Sequence, residues 1–223
     1  MKRTIFNSLL TVLIVLASTP AYAGGEPGGG NAPAIPPSST NAPASSSATV
    51  SADEAVNILI VYFSMTGNTE KMATGVQEGV ERVAGATVTL KKVDEVTNDD
   101  LAAADGIVLG SPTYWGTIAT PMKNFLDITG FWGGKVGGAF STGALETGGK
   151  ESVVVSLLLA LMMKGVIVVG PVYDFGNFQA GSLGASAMTG PPDEGVSDSE
   201  LEEARKLGER VATITQQLKR GSP

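Results

Sequence analysis

The hydrophobic and polar positions of this chain change their period several times after residue 54, which predicts alternating strands and helices. Residues 56–63 form a near-continuous apolar run, typical of a strand buried on both faces of a parallel sheet. Residues 68–83 show helical spacing of apolar side chains, and residues 86–93 alternate as a strand does. The same patterns predict strands at 106–110, 136–140 and 166–172, and helices at 121–128, 151–164 and from 197 onward.

The final predicted helix begins with a capping box, in which Ser197 precedes Glu200 by three residues. Its spacing predicts burial of five apolar side chains: Leu201, Leu207, Val211, Ile214 and Leu218. Five successive strand–helix repeats predict a doubly wound α/β domain with a parallel sheet and right-handed crossovers. Ligands bind such sheets beyond the carboxyl ends of the strands, so a functional site is expected in the segments that follow them.

The first 23 residues have the three parts of a secretory signal. Lys2 and Arg3 form a positive start, residues 5–17 are apolar, and Ala21-Tyr22-Ala23 is a small-x-small cleavage site. The apolar stretch of 13 residues contains polar interruptions and is too short for a stable membrane span. We therefore expect an exported, periplasmic protein that is cleaved after Ala23 and has no membrane-spanning segment.

Residues 24–54 consist mostly of Gly, Pro, Ala, Ser, Asn and Thr, and Ile35 is the only large apolar residue up to residue 49. Such a segment buries too little apolar surface to offset the entropy cost of ordering it. The composition predicts a disordered tail, and the folded domain is expected over residues 55–221.

Composition narrows the chemistry further. The chain is 43% hydrophobic and 17% charged, as expected of a globular protein. It contains neither Cys nor His, which excludes disulfides, Cys or His metal sites and Ser-His-Asp triads. The net charge of −7, or −9 without the first 23 residues, disfavours nucleic acid and anionic membranes as partners. Carboxylates, hydroxyls or a bound cofactor must therefore supply the chemistry, and no metal site is predicted.

The segment after the first strand, Ser64-Met65-Thr66-Gly67-Asn68-Thr69, leads directly into a helix. Three hydroxyls, a Gly turn and the unpaired N–H groups of a helix start form a cradle for a phosphate, and the helix dipole supplies the positive charge. A triphosphate loop would carry Gly-Lys-Ser/Thr, and a dinucleotide fold Gly-x-Gly-x-x-Gly; this segment has neither. An ordinary capped turn is the alternative, since Ser, Thr and Asn are common caps.

Motifs after the first and third strands resemble a known family. Residues 64–69 are similar to the phosphate loop of flavodoxins. Residues 110–116, Gly-Ser-Pro-Thr-Tyr-Trp-Gly, and 121–127, Pro-Met-Lys-Asn-Phe-Leu-Asp, resemble the matching segments of the WrbA-type NAD(P)H:quinone oxidoreductases, and the resemblance extends over residues 57–218. It implies a flavodoxin-like, doubly wound, five-stranded parallel sheet of order 2-1-3-4-5 that binds FMN.

The resemblance assigns three segments to FMN binding. They are Ser64, Met65, Thr66, Gly67, Asn68 and Thr69, then Pro112, Thr113, Tyr114, Trp115 and Gly116, and finally Ser141, Thr142, Gly143, Ala144, Leu145 and Glu146. Two adjacent aromatic residues on a turn cannot both point inward, so Tyr114 or Trp115 is expected to face the ligand or a partner. The Gly-rich third segment is expected to offer backbone N–H groups to the flavin, although taken alone it also fits a flexible loop.

Two features favour the quinone reductases over a minimal flavodoxin. About 25 residues, 174–198, separate the fifth strand from the last helix, longer than most connections. The predicted fourth helix, residues 151–164, is apolar nearly all round, and a helix with two apolar faces needs a second burial partner. We therefore expect a homo-oligomer, a dimer or a tetramer, with Leu158 and Leu161 on the outward face; relatives form tetramers with flavin sites near subunit contacts.

Other segments depart from the family pattern. Relatives place a His beside the flavin where this chain has Lys164, so Lys164 is the candidate for a cation near the ring; a Lys is also favoured at a helix C-terminus for its charge alone. Trp132 is the candidate for substrate stacking, by its similarity to a Trp of relatives. Residues 181–185 are shortened and lack an aromatic residue.

The resemblance implies an enzyme in which FMN accepts electrons from NAD(P)H and passes two of them to a quinone-like small molecule. An alternative is an exported flavodoxin that carries electrons to a redox protein without catalysis, and a third is a flavin-binding protein that no longer turns over. Export and the charge of −9 favour the carrier. The long connection and the apolar fourth helix favour the enzyme.

Overall fold

A computed structural model describes residues 55–176 and 178–221. The predicted signal peptide and tail, residues 1–54, lie outside the described residues, so both stay predictions. The described strands are β1 Val56–Tyr62, β2 Ala86–Lys92, β3 Gly106–Tyr114, β4 Thr117–Ile118, β5 Val136–Gly143, β6 Ile167–Val168, β7 Val172–Asp174, β8 Gln179–Gly181 and β9 Ala185–Met188. The described helices are α1 Asn68–Glu81, α2 Asn98–Ala103, α3 Thr120–Ile128, α4 Lys150–Met163 and α5 Asp198–Arg220.

The central sheet has the strand order β2-β1-β3-β5-β6, and these strands run parallel. In the numbering of the prediction, β5 is the fourth strand and β6 is the start of the fifth. The observed order is therefore the predicted order 2-1-3-4-5. The predicted α/β fold with a parallel sheet is confirmed.

The core lies on both faces of the sheet because successive side chains of a strand point to opposite faces. Ile58 and Ile60 of β1 pack with Phe140 beneath α1 and α5. Leu59 and Val61 of the same strand pack on the other face, beneath α3 and α4. Since helices cover both faces, the ends of the strands are the parts of the sheet that a ligand can reach.

The fifth strand is divided, which the sequence did not predict. The predicted strand over 166–172 is replaced by two shorter strands. β6 pairs with the first two residues of β5, and β9 pairs with the last four residues of β5. The antiparallel β7–β8 hairpin lies between them in sequence. The chain leaves the sheet at Gly170, where a Cβ would lie 1.8 Å from the Ser182 carbonyl oxygen, and Pro171 then offers no N–H for a ladder.

The final helix starts as predicted. Ser197 Oγ accepts from the Glu200 N–H while the Glu200 side chain accepts from the Ser197 N–H, a complete capping box. Leu201, Leu207 and Val211 are buried, as expected. Leu218 is exposed, so its predicted burial is wrong; the last turns of α5 run beyond the core.

The outward face of α4 also differs from the prediction. Leu158 and Leu161 are buried, because they lie on the same helical side as the residues that contact the sheet. The side chains that point outward are instead Val155, Leu159, Met162 and Met163, called here the outer face of α4. Within the described ranges, no helix combines the length and apolar character needed to cross a membrane.

Candidate functional site

The loop Ser64–Thr69 joins the carboxyl end of β1 to the start of α1. Gly67 has a φ of 95°, which a residue with a Cβ rarely adopts, and its N–H donates to Ser64 Oγ at 3.1 Å. Among the described residues no side chain caps α1, so the N–H groups of its first turn stay available. Thr66 is exposed beside them. The loop can therefore hold an anion with N–H groups and hydroxyls.

Thr69 has a role that the sequence did not predict. Its side chain is buried, and its hydroxyl lies 2.8 Å from the Thr142 hydroxyl at the end of β5. This hydrogen bond ties the predicted phosphate loop to β5, leaving Ser64 and Thr66 as the accessible hydroxyls. The neighbouring Ser141 hydroxyl is buried without a hydrogen-bond partner in the part of the chain that the structure describes.

The two adjacent aromatic residues lie on a tight hairpin between β3 and β4. The strands pair up to Tyr114 and Thr117, so Trp115 and Gly116 form a two-residue turn. Both have positive φ, 54° and 78°, as a type I′ turn requires. Trp115 is fully exposed, whereas Tyr114 packs edge-on against Phe63 with the ring centroids 6.4 Å apart. The Trp115 ring is therefore available to a ligand or a partner.

The loop between β5 and α4 touches this hairpin. Gly149 has a φ of 96°, and a Cβ there would lie 2.7 Å from the Gly116 Cα, so only glycine fits. Thr113 Oγ1 also donates to the Gly148 carbonyl oxygen at 3.3 Å. Residues 144–146 are exposed at the tip of the loop. The structure thus brings the three predicted segments together at the carboxyl edge of the sheet.

Lys150, which the sequence analysis did not single out, lies beneath this loop. It is the first residue of α4 and is buried, with its Nζ donating to the Glu146 carbonyl oxygen at 3.0 Å and to the Glu151 carboxylate. A cation at a helix start faces the positive end of the helix dipole, which is unfavourable. The sequence contained one signal for it, a Lys directly after two glycines at a predicted helix start.

Two carboxylates of α5 interact with the Lys150 ammonium. Burial raises the pKa of Glu200, but hydrogen bonds from Ser197 and Met188, together with Lys150, lower it overall. Burial and the charge of Glu200 raise the pKa of Glu203, whereas a backbone hydrogen bond from Ser186 and the attraction of Lys150 lower it in part. The ammonium therefore attracts both carboxylates, although burial and hydrogen bonds affect their pKa more.

The segment after β9 folds back to the predicted phosphate loop. Asp193 Oδ2 accepts from Asn68 Nδ2 at 2.9 Å, and Asn68 Nδ2 also lies 3.3 Å from Thr66 Oγ1. A carboxylate beside this loop repels a phosphate group. An anion that binds here must therefore compete with Asp193.

Lys164 and Trp132 lie at the amino end of the sheet, opposite the end where the three predicted segments meet. α4 runs back from the carboxyl edge to the amino edge, so Lys164 at its C-terminal cap precedes β6. Lys164 Nζ lies 4.5 Å from the Trp132 ring centroid and donates to the Thr129 carbonyl oxygen at 2.7 Å, and burial lowers the pKa of Lys164. Trp132 is buried against Phe125. Within one chain, Lys164 and Trp132 therefore lie away from the three segments assigned to FMN, and their roles beside the flavin and the substrate stay predictions.

A family model described as NADPH-dependent FMN reductase matches residues 56–180, more than half of the chain. The chain belongs to the NADPH-dependent FMN reductase family. The resemblance inferred from the sequence motifs is thereby confirmed.

Two similar proteins show how far the likeness to this family extends. The chain is 34% identical over 206 residues to a protein of Solidesulfovibrio magneticus named NAD(P)H dehydrogenase (quinone), covering 74% of this chain and 100% of the relative. It is also 34% identical over 194 residues to a protein of the same name from Archaeoglobus fulgidus, covering 72% and 98%. The relatives are therefore matched over almost their full length.

Solved structures with the flavodoxin-like fold are also similar to this chain. A flavodoxin described as WrbA-like, from Agrobacterium tumefaciens, matches with a TM-score of 0.57 and 29% identity, over 73% of this chain and 99% of that one. A flavodoxin from the domain Archaea matches with a TM-score of 0.58 and 24% identity, over 72% and 99%. The second likeness shows a shared fold.

Proposed function

We propose that this protein is an FMN-binding oxidoreductase that transfers two electrons from NAD(P)H to a quinone-like small molecule. The observation that carries the proposal is the Thr69–Thr142 hydrogen bond of 2.8 Å, which joins a single-phosphate cradle to the strand whose following loop completes the site. The relatives named NAD(P)H dehydrogenase (quinone) favour this enzyme over the electron carrier.

The residues present fit FMN. The loop Ser64–Thr69 has no Lys or Arg, which suits one phosphate held by a helix start. A Cβ built on Gly67 or Gly116 would meet no atom within 4 Å, so both loops leave room for a ligand. The buried Ser141 hydroxyl, unpaired among the described residues, lies on β5, the strand that pairs with β3. Bound FMN supplies the electron-transfer chemistry, whereas the protein supplies orientation and electrostatics.

Each loop has a distinct task in this proposal. Ser64, Thr66 and the first-turn N–H groups of α1 hold the phosphate. The exposed Trp115 ring offers an apolar face for stacking on the flavin. The loop after β5 presents backbone N–H groups, which stabilise negative charge on a reduced ring without having to reorient.

Anaerobic titration of the purified protein with FMN, NADH and NADPH tests the proposal. We expect a yellow protein that loses its colour with at least one nicotinamide, and that regains it and turns over when benzoquinone is added. A yellow protein that neither nicotinamide reduces, but that exchanges electrons with a redox protein, would instead establish the carrier. A protein that stays colourless after incubation with FMN would show that the proposed flavin site does not exist.

We also propose that the protein is exported and that the mature chain begins at Gly24. The support is the positive start, the apolar stretch and Ala21-Tyr22-Ala23. N-terminal sequencing of protein from fractionated cells is expected to find Gly24 first, in the periplasmic fraction. Intact Met1 on cytoplasmic protein would contradict this.

We propose further that the chain forms a homo-oligomer through the outer face of α4. Leu159 and Met163 of this face are 57% and 84% exposed, and Phe131 is 76% exposed close to Gly165, just beyond the helix. Contiguous apolar surface of this kind is typical of an interface. A second copy of the chain offers a matching apolar face, as symmetric interfaces require.

A further inference from the structure

We propose that Lys150 is the positioning residue that sets how strongly the site prefers reduced over oxidised FMN. This inference rests on the proposed function, because it gives Lys150 a role toward bound FMN. It deepens that function by naming the charge that favours the reduced ring.

The structure gives Lys150 a place that stability alone does not explain. Its ammonium is buried at the start of α4, where the helix dipole opposes a cation. Taking a charge out of water is costly unless partners compensate it. The partners are the Glu146 carbonyl oxygen and the Glu151 carboxylate, and the Glu151 side chain is largely exposed. Lys150 is thus anchored to the loop that the proposal assigns to the flavin.

The hydrogen bond to Glu146 orients the loop. In a planar trans peptide, the C=O and the N–H point in opposite directions. Because the Glu146 carbonyl points toward Lys150 Nζ, the N–H of Thr147 in the same peptide unit points away from it. The Thr147 N–H is therefore directed away from the buried ammonium, where it can donate to a bound flavin ring.

The charge of Lys150 acts on the reduced ring. Reduction by NAD(P)H adds two electrons and one proton to the ring, which leaves NAD(P)+ and one extra negative charge on the flavin. The quinone then takes up these two electrons and this proton, together with one proton from the solvent. A buried ammonium beneath this loop attracts this negative charge. Glu151, Glu200 and Glu203 repel it, so loss of Lys150 would leave their repulsion uncompensated.

Binding of oxidised and reduced FMN to the intact protein tests the inference, using anaerobic fluorescence titration and the two-electron potential of the bound flavin. Lys150→Met is expected to weaken binding of reduced FMN about tenfold more than binding of oxidised FMN. Lys150→Arg keeps the charge and should retain most of the preference. Glu151→Gln removes a repelling charge, so it should move the ratio of the two affinities in the opposite direction.

Lys135→Met is the matched control, because it removes a partly buried lysine at the amino end of the sheet, directly before β5. An unchanged affinity ratio in a folded Lys150→Met variant would overturn the inference, as would an equal change in Lys135→Met. If Lys150→Met does not fold, as judged by circular dichroism, the opposite shift in Glu151→Gln decides in its place. A wild-type protein that binds neither form of FMN would instead contradict the proposed function, because the flavin site would be absent.

Discussion

Asn68 lies between two oxygen groups that a bound phosphate would meet. Its Nδ2 donates to Asp193 Oδ2 at 2.9 Å and lies 3.3 Å from Thr66 Oγ1. The N–H groups at the start of α1 attract a phosphate, whereas the Asp193 carboxylate repels it. We therefore expect the affinity of this loop for FMN to depend on two opposing electrostatic effects that meet at Asn68.

Two substitutions at this loop are expected to act in opposite directions. Thr66→Glu puts a second carboxylate into the cradle and should weaken FMN binding more than about 100-fold. Asp193→Asn keeps the shape of the side chain but removes its charge, so it should strengthen binding about threefold to tenfold. Fluorescence titration with FMN measures both effects.

Matched substitutions away from the loop serve as controls. Thr87→Glu at the start of β2 and Asp99→Asn in α2 change the same charges at exposed positions and should leave FMN affinity unchanged. Full FMN affinity in folded Thr66→Glu would show that this loop does not hold the phosphate.

Single residues also show what the sequence can and cannot specify in a site. Gly67 and the hydroxyls around it follow a strand and precede a helix, so local rules suffice to predict a phosphate loop. Lys150 was not predicted as a site residue because its role depends on the burial of its side chain, which the spacing of residues along the sequence does not reveal. Lys164 was assigned from a His of relatives, and its place between a helix and the next strand puts it at the amino end of the sheet, away from the three segments of the same chain.

At the scale of elements, long segments with strong periodicity were predictable and short ones were not. α2 has six residues and buries only Leu101, so it shows no helical period. The sequence Ala-Ser-Ala-Met of β9 has weak strand propensity, and its pairing with β5 decides its conformation. Similarly, a proline is expected to interrupt a central strand because it has no N–H to donate to the ladder, yet β3 continues through Pro112. Tertiary pairing overrides local preference in these elements.

The stability that α2 provides is expected to depend on pH through Asp100. A hydrogen bond from Lys91, followed by those from Thr97, lowers the pKa of Asp100 to about 2, from 3.8. A carboxyl with a lowered pKa stabilises the fold above its unfolded-state pKa, and this contribution disappears as the pH falls toward 2. Asp100→Asn should therefore lower the melting temperature at pH 7, and the difference from wild type should shrink between about pH 4 and pH 2.

Thermal unfolding followed by circular dichroism measures this difference. Asp99→Asn is the control on the same helix, since Asp99 is exposed, and it should cause a smaller change at pH 7. A difference between Asp100→Asn and wild type that stayed constant from pH 7 to pH 2 would show that the ion pair with Lys91 does not stabilise the fold.

At the scale of the whole molecule, surface charge and apolar surface are separated. The chain is acidic overall, yet the outer face of α4 carries four exposed apolar side chains. Net negative charge disfavours non-specific association, whereas a local apolar face favours one specific contact. Both properties are compatible with a discrete homo-oligomer rather than with disordered clustering.

Leu159→Glu is expected to break the proposed oligomer into smaller species. The substitution places a charge in the centre of the outer face of α4, where assembly would have to remove it from water. Light scattering of the purified protein measures the mass of the species. Leu183→Glu is the control, because Leu183 is similarly exposed but lies between β8 and β9. A wild-type protein that is monomeric at all concentrations would exclude the interface.

The division of the fifth strand between β6 and β9 affects how the sheet resists aggregation. A long, straight outer strand exposes a row of backbone N–H and C=O groups onto which another chain can add. Here the outer border is formed by pieces of two and four residues, and the chain leaves the sheet between them. Neither piece is long enough to template a stable intermolecular ladder. The same interruption that shapes this side of the domain therefore also protects it against fibril-like growth.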